Sequence, residues 1–127
     1  MNKTQTRTAQ IYLDENGILH LVMNIRVVVD VEDAIDNYLV IKHITKNKPC
    51  VRLIDIRKVF KIDKKAKVFI DKRQTQANTI ARAILMTNGL RRSTANFFVK
   101  FNSNLIPTKF FINYDEAIEW LKTYQYD

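Results

Sequence analysis

A chain of 127 residues, 46% of them hydrophobic, is one domain's worth of sequence and needs neither a metal nor a disulfide to hold a core. Two glycines and two prolines leave little room for flexible linkers, and a single cysteine, Cys50, excludes an internal disulfide. The net charge of +8 is concentrated: residues 1–40 sum to −3, residues 41–109 to +14 and residues 110–127 to −3. Such asymmetry marks either an anion-facing surface or a solvated basic one.

The polar first ten residues lack the apolar segment of a secretory signal, and no run approaches the length of a membrane span. With a lone thiol, this reads as a soluble cytoplasmic protein without membrane insertion. Residues 1–8 are expected to be flexible, and residues 9–124 to form a single domain.

In chain order, Ala9–Leu13 and Ile18–Met23 alternate apolar and polar residues around Asp14-Glu15-Asn16-Gly17, the pattern of a β-hairpin whose turn closes on a glycine. Arg26–Val29 either extends this strand or forms another short one. Asp30 is placed to cap a helix, VEDAIDNYLVIKHI, with Asp33 and Asp36 near its positive end and Lys42 and His43 near its negative end. Its expected inward stripe is Val31, Ala34, Ile35, Tyr38 and Ile41, flanked by Leu39 and Ile44. Cys50–Ile56 is short, apolar and β-branched, as suits a strand covered on both faces.

Asp63 is expected to cap a second helix from Lys64 to about Lys72, with Ala66, Phe69 and Ile70 inward. Thr79–Met86 reads as a strand, Asn88-Gly89 as a turn, and Leu90 to about Phe101 as a third helix. Lys109–Ile112 reads as the last strand. Asn113 then caps a closing helix with Glu116 at the capping-box position and an apolar stripe of Tyr114, Ala117, Ile118, Leu121 and Tyr124. Strands alternating with helices imply right-handed crossovers and a largely parallel α/β sheet, made mixed by the opening hairpin.

The segment VRLIDIRKVFKIDKKAKVF, Val51–Phe69, puts a strand ending in Asp55 ahead of a connector that reaches Asp63 at the start of a helix. It resembles the switch segment of the STAS domains, the family of the bacterial anti-sigma factor antagonists. Ala81–Asn88 with Gly89-Leu90-Arg91-Arg92, and Phe110-Phe111-Ile112 with Tyr114–Leu121, are similar to the later strands and helices of that family. The likeness covers about residues 9–124 and is greatest for uncharacterised single-domain bacterial proteins described as SpoIIAA-like or STAS/SEC14-like.

The resemblance implies a SpoIIAA-like, mixed but mainly parallel sheet with helices packed on it. It also implies a non-catalytic binding or regulatory role. The antagonists are switched by phosphorylation at the start of the second helix. Lys64, Lys65 and Ala66 stand there in this chain, so the phosphoswitch is not carried over.

The sharpest chemical feature is the cluster Arg57, Lys58, Lys61, Lys64, Lys65 and Lys67. Ligands of parallel α/β sheets gather at the carboxyl ends of strands. The expected site is therefore the edge carrying Lys61–Lys65 and Asn88–Arg92, with Arg57, Lys58, Lys61, Lys64, Lys65, Asn88, Arg91 and Arg92 facing a protein partner or a small anion. The competing reading is a solvated loop. Asp55 is expected to pair with a nearby base and Asp63 to cap, rather than the two forming a catalytic carboxylate pair.

His20, His43 and Cys50 have no metal-ligand spacing, Ser93 and Ser103 lie in no nucleophile elbow, and there is no phosphate-binding glycine loop. No enzyme, metal or cofactor is expected. Phe97, Phe98, Phe101, Phe110 and Phe111 are core, the contact of a homodimer, or the pocket of a carrier for an apolar or amphipathic small molecule. Nucleic-acid binding through the basic middle segment is the weakest reading, because no binding motif accompanies the charge.

Overall fold

The computed structural model describes residues 2–59, 61–72, 74–88 and 106–125. Their main sheet has six strands in the order β1 (Thr4–Gln5), β2 (Ala9–Leu13), β3 (Leu19–Met23), β5 (Cys50–Asp55), β7 (Thr79–Leu85) and β8 (Thr108–Phe111). The first three pair antiparallel, and β3, β5, β7 and β8 run parallel. The hairpin turn forms as its residues require. Gly17 adopts φ +82°, its N–H donates to the Asp14 carbonyl at 3.0 Å, and the Asp14 carboxylate accepts from the Asn16 and Ile18 amides.

The ambiguous segment before the first helix becomes β4 (Val28–Val29). It does not extend the hairpin but pairs in parallel with β6 (Lys61–Ile62) as a separate two-stranded ribbon. This ribbon leads directly into the helices α1 (Val31–Ile44) and α2 (Lys64–Ile70).

Period-two alternation gives the sheet two different covers. On one face, Ile11, Leu19, Met23, Cys50 and Ile84 pack under α1 and α2 with Ala34, Ile41 and Ala66. On the other, Ile18, Val51, Leu53, Ala83, Leu85 and Phe111 pack against Ala117 and Leu121 of α3 (Tyr114–Lys122). β5 is thus covered on both sides, as its composition predicts. The Asn113 side chain accepts from the Glu116 amide and opens α3. Asp63 occupies the cap position of α2, but its side chain makes no capping bond; the carbonyl of Asp63 accepts from the Lys67 amide instead. The third helix expected over Leu90–Phe101, and with it Phe97, Phe98 and Phe101, lies outside the described residues.

Two expectations need correction. The N-terminal segment is built into the fold from Thr4 onward. β1 pairs with β2, Thr8 is buried, and the Thr6 hydroxyl donates to Asn37 Oδ1 at 2.7 Å. Asn37 Nδ2 donates to Thr8 Oγ1 at 3.1 Å, and Arg7 makes an ion pair with Asp33 while its Nη2 donates to the Val28 carbonyl at 2.9 Å. In consequence α1 turns Asp33 and Asn37 inward alongside Ala34 and Ile41, and leaves Leu39 53% exposed. The polar groups at 33 and 37 are buried because the N-terminal segment supplies their partners.

Asp33 also completes a reciprocal capping box with Asp30. The hydrogen bond from Arg7 is the main reason its carboxyl is held below the ordinary carboxylate value of 3.8. Because the folded pKa is depressed, its stabilising contribution is present above pH 3.8 and is lost as pH falls through the lower folded value. Asp33→Ala is expected to lower stability at pH 7 by about 1–3 kcal/mol, the range for losing buried hydrogen bonds to charge. The gap to wild type should narrow in strong acid. Urea unfolding of both proteins at pH 7 and pH 3 measures it.

Candidate functional site

The carboxyl ends of β5 and β7 lie side by side, with Asp55 in register with Leu85. Arg57 therefore follows β5 at the same edge at which Asn88 follows β7. Arg57 is engaged: Nε and Nη2 donate to the two oxygens of Asp55 at 3.0 and 2.7 Å, a bidentate pair that raises the pKa of the guanidinium. Lys58, Lys61, Lys64 and Lys65 are exposed, and none of them makes an ion pair among the described residues. Lys61 lies on the β4–β6 ribbon, while Lys64 and Lys65 lie in the first turn of α2. Burial, with the nearby positive charge of Lys61, pushes the Lys67 ammonium below its ordinary pKa. Arg91 and Arg92 lie outside the described residues.

The hairpin carries a second polar cluster. His20, on β3, is buried on the α3 face and shares a 2.8 Å hydrogen bond between Nε2 and Asp14 Oδ2. Its ring stacks on Tyr12 at 4.5 Å, with Tyr114 at 6.4 Å. Burial is the main cause of the raised pKa of both phenols. The imidazole is locked by stacking and by the turn carboxylate, an arrangement that joins the hairpin to the start of α3.

The cavity system runs beneath α1 and α2 along the central strands, from Arg52 to Ile56 and Ile62. A cavity of about 80 Å³ sits between the sheet and the pair α1 and α2, lined by Leu19, Leu21, Ile41, Ile54, Ile70 and their apolar neighbours. Beside it is a cleft of about 200 Å³ whose walls include Lys42 in the last turn of α1, Thr45 and Asn47 after it, and Gln74, Ala77 and Asn78 before β7. Tyr38, Ile41, Arg52 and Thr75 border both spaces. The cleft thus opens at the amino ends of β5 and β7, away from the lysine-bearing edge.

Among the described residues, Arg52 is the one charged side chain of the inner cavity, Arg52 and Lys42 are those of the cleft, and no carboxylate lines either. Arg52 is 8% exposed, its Nε is sealed from solvent with no acceptor, and it makes no hydrogen bond or ion pair among the described residues. Its register partner Arg82 is fully buried, donates from Nε to Thr108 Oγ1 at 2.8 Å and stands 3.7 Å from Asp71. Burial pulls the Arg82 pKa down and Asp71 opposes that shift. Two arginines therefore stand abreast on one face of the central strands, where the sequence reading saw only apolar strands. The signal was present in the sequence: a charged residue inside each of the two runs VRLID and TIARAIL.

Among the described residues, no cluster of three or more His, Cys, Asp or Glu side chains is arranged to hold a metal, and no helix is long and apolar enough to cross a membrane. A family profile matches residues 11–125. The chain belongs to DUF7793, a domain of unknown function.

No functionally curated protein matches it. Among solved structures it is similar to an uncharacterized protein of the DUF3478 family with a SpoIIAA-like fold from Shewanella loihica PV-4. The identity is 18% over 94% of this chain and 90% of that one, with a TM-score of 0.60. A protein with unknown function from Arthrobacter sp. FB24 matches at 23% identity, covering 94% of this chain and 97% of that one, with a TM-score of 0.36. The architecture is SpoIIAA-like, as the resemblance read from the sequence implied.

Proposed function

We propose that this chain is a non-catalytic binding module that holds a small apolar or amphipathic molecule between the sheet and the helices α1 and α2. The observation that carries this reading is the apolar cavity of about 80 Å³ beneath those helices. Protein interiors are packed to crystal density with few voids larger than a water, whose share of liquid volume is about 30 Å³. A cavity this size among Leu, Ile and Met side chains is a binding feature, with a composition that matches small-molecule pockets.

The polar side chains around it favour binding over chemistry. Asn37 is tied to Thr6 and Thr8, Thr75 to the Phe69 carbonyl, and Gln76 to the Ile70 carbonyl and Thr79. None of these groups is a general acid or base. The pocket of this reading is not the aromatic one expected from Phe97, Phe98, Phe101 or Phe110, and the cleft beside it opens on a different edge from the lysines.

1-Pentanol added to the full chain should shift the methyl resonances of Leu21, Ile54 and Ile70 in a saturable NMR titration. Ala34→Leu, which puts a larger side chain into the same space, should abolish those shifts while the fold is retained. Unsaturable or scattered shifts in wild type would remove the reading.

A second reading keeps the lysine edge as a docking surface for an acidic protein partner. It is favoured by the exposure of Lys58, Lys61, Lys64 and Lys65 without ion pairs among the described residues. A fluorescent oligoglutamate peptide should bind at low salt, weaken as salt is raised, and lose most of its affinity in the fourfold alanine variant, whose stability should stay within about 0.5 kcal/mol of wild type. Anisotropy that is flat at low salt, or equal for both proteins, counts against this surface.

A further inference from the structure

We propose that the molecule held under α1 and α2 is a monocarboxylate with a short apolar tail, its carboxylate bound by Arg52 and its tail in the inner cavity. The inference rests on the binding reading above and adds the chemistry of the ligand. Its starting point is the energetics of Arg52. A guanidinium carries five donors and stays charged in proteins. Burying such a group without a partner is among the costliest arrangements a fold can contain. Arg52 is 8% exposed, its Nε has no acceptor, and no carboxylate among the described residues lines either space that it borders. The chain thus presents a largely buried cation, its Nε without an acceptor, at the junction of an apolar cavity and an open cleft, and an anion arriving through the cleft satisfies it.

The charge count narrows the head group. Arg82 stands beside Arg52 in register with Asp71 at 3.7 Å, and Arg52 is the one charged side chain among the described residues that line the inner cavity. One negative charge balances it, and a planar carboxylate meets a guanidinium fork in two parallel bonds. An alkyl phosphate, with nearly two charges at neutral pH, exceeds that single charge.

The cavity narrows the tail. At about 80 Å³ it is smaller than the engineered cavity of about 150 Å³ that admits benzene, so a tail of about four carbons fits where a long acyl chain does not. The backbone is adapted as well: the β5–β7 register shifts between Cys50 and Val51, immediately before Arg52, and such irregularities re-aim the side chains that follow.

The test is a set of methyl-detected NMR titrations of the full chain with pentanoate, 1-pentanol, pentyl phosphate and inorganic phosphate, on wild type and Arg52→Met. Wild type should bind pentanoate about tenfold or more tighter than pentanol, since a hydrogen-bonded charge pair contributes at least that factor. It should bind pentyl phosphate more weakly than pentanoate, and inorganic phosphate should leave the Leu21, Ile54 and Ile70 methyls unmoved. Arg52→Met should lose the preference for pentanoate, keep pentanol binding, and melt at the same temperature as wild type or higher, because a buried donor without an acceptor has been removed.

Equal binding of pentanol and pentanoate by wild type overturns the inference and leaves the binding reading standing. Binding of neither overturns both. Tighter binding of pentyl phosphate than pentanoate overturns the carboxylate assignment, and an unchanged pentanoate affinity in Arg52→Met overturns the role of Arg52. If Arg52→Met does not fold, the comparison of the four ligands on wild type still decides, since only a cationic site continuous with an apolar cavity gives that order.

Discussion

The central strand β5 is hydrogen-bonded on both sides and covered on both faces, and every other element is placed by that fact. β3 and β7 flank it in parallel register. The crossovers from β3 and β5 lay α1 and α2 over one face, while α3 closes the other. A strand so enclosed is under strong pressure to be apolar throughout. Arg52 breaks that pressure at the third position of β5, with Arg82 in register on the next strand. Arg52 borders both the cavity and the cleft that lie between this face and the helices above it.

Much of the architecture was legible because it rests on local patterns. The hairpin turn has its Asp and Gly, α1 and α3 have their caps, and Cys50–Asp55 and Thr79–Leu85 announce covered strands by β-branching and small residues. What was not legible depends on pairs far apart in sequence. The inward rotation of Asp33 and Asn37 requires Arg7 and Thr6, 26 and 31 residues away. A periodicity argument treats those two as solvent-facing, and treats Thr6–Thr8 as a loose end, because neither half of each bond makes sense alone. Asp63 shows the converse: a residue type suited to capping stands at the cap position and does not cap with its side chain.

The candidate site divides in the same way. The lysines stand out in a charge count; Lys58 lies on a turn, Lys61 on the β4–β6 ribbon, and Lys64 and Lys65 in the first turn of α2. The buried arginine was passed over because the surrounding letters were apolar, although an arginine in a strand covered on both faces is the more informative anomaly. Exposed charge is inexpensive and common on a protein surface, whereas buried charge without a partner is neither. Ligands generally meet a parallel sheet at the carboxyl ends of its strands, which here is the lysine edge. In this chain the cleft opens at the other end, between the turn after α1 and the segment before β7. The SpoIIAA-like fold shared with the Shewanella loihica protein at 18% identity positions the sheet and helices, and the function is carried by what this sequence places on them.

The most direct test of this account is anomalous diffraction from crystals of the protein grown with 5-bromopentanoate. The account predicts one bromine peak within the cavity bounded by Leu21, Ile54 and Ile70, with the carboxylate density at hydrogen-bond distance from the Arg52 guanidinium. A bromine peak only on the outer surface, or a carboxylate seated on the lysine edge with the Arg52 guanidinium unligated, would contradict it.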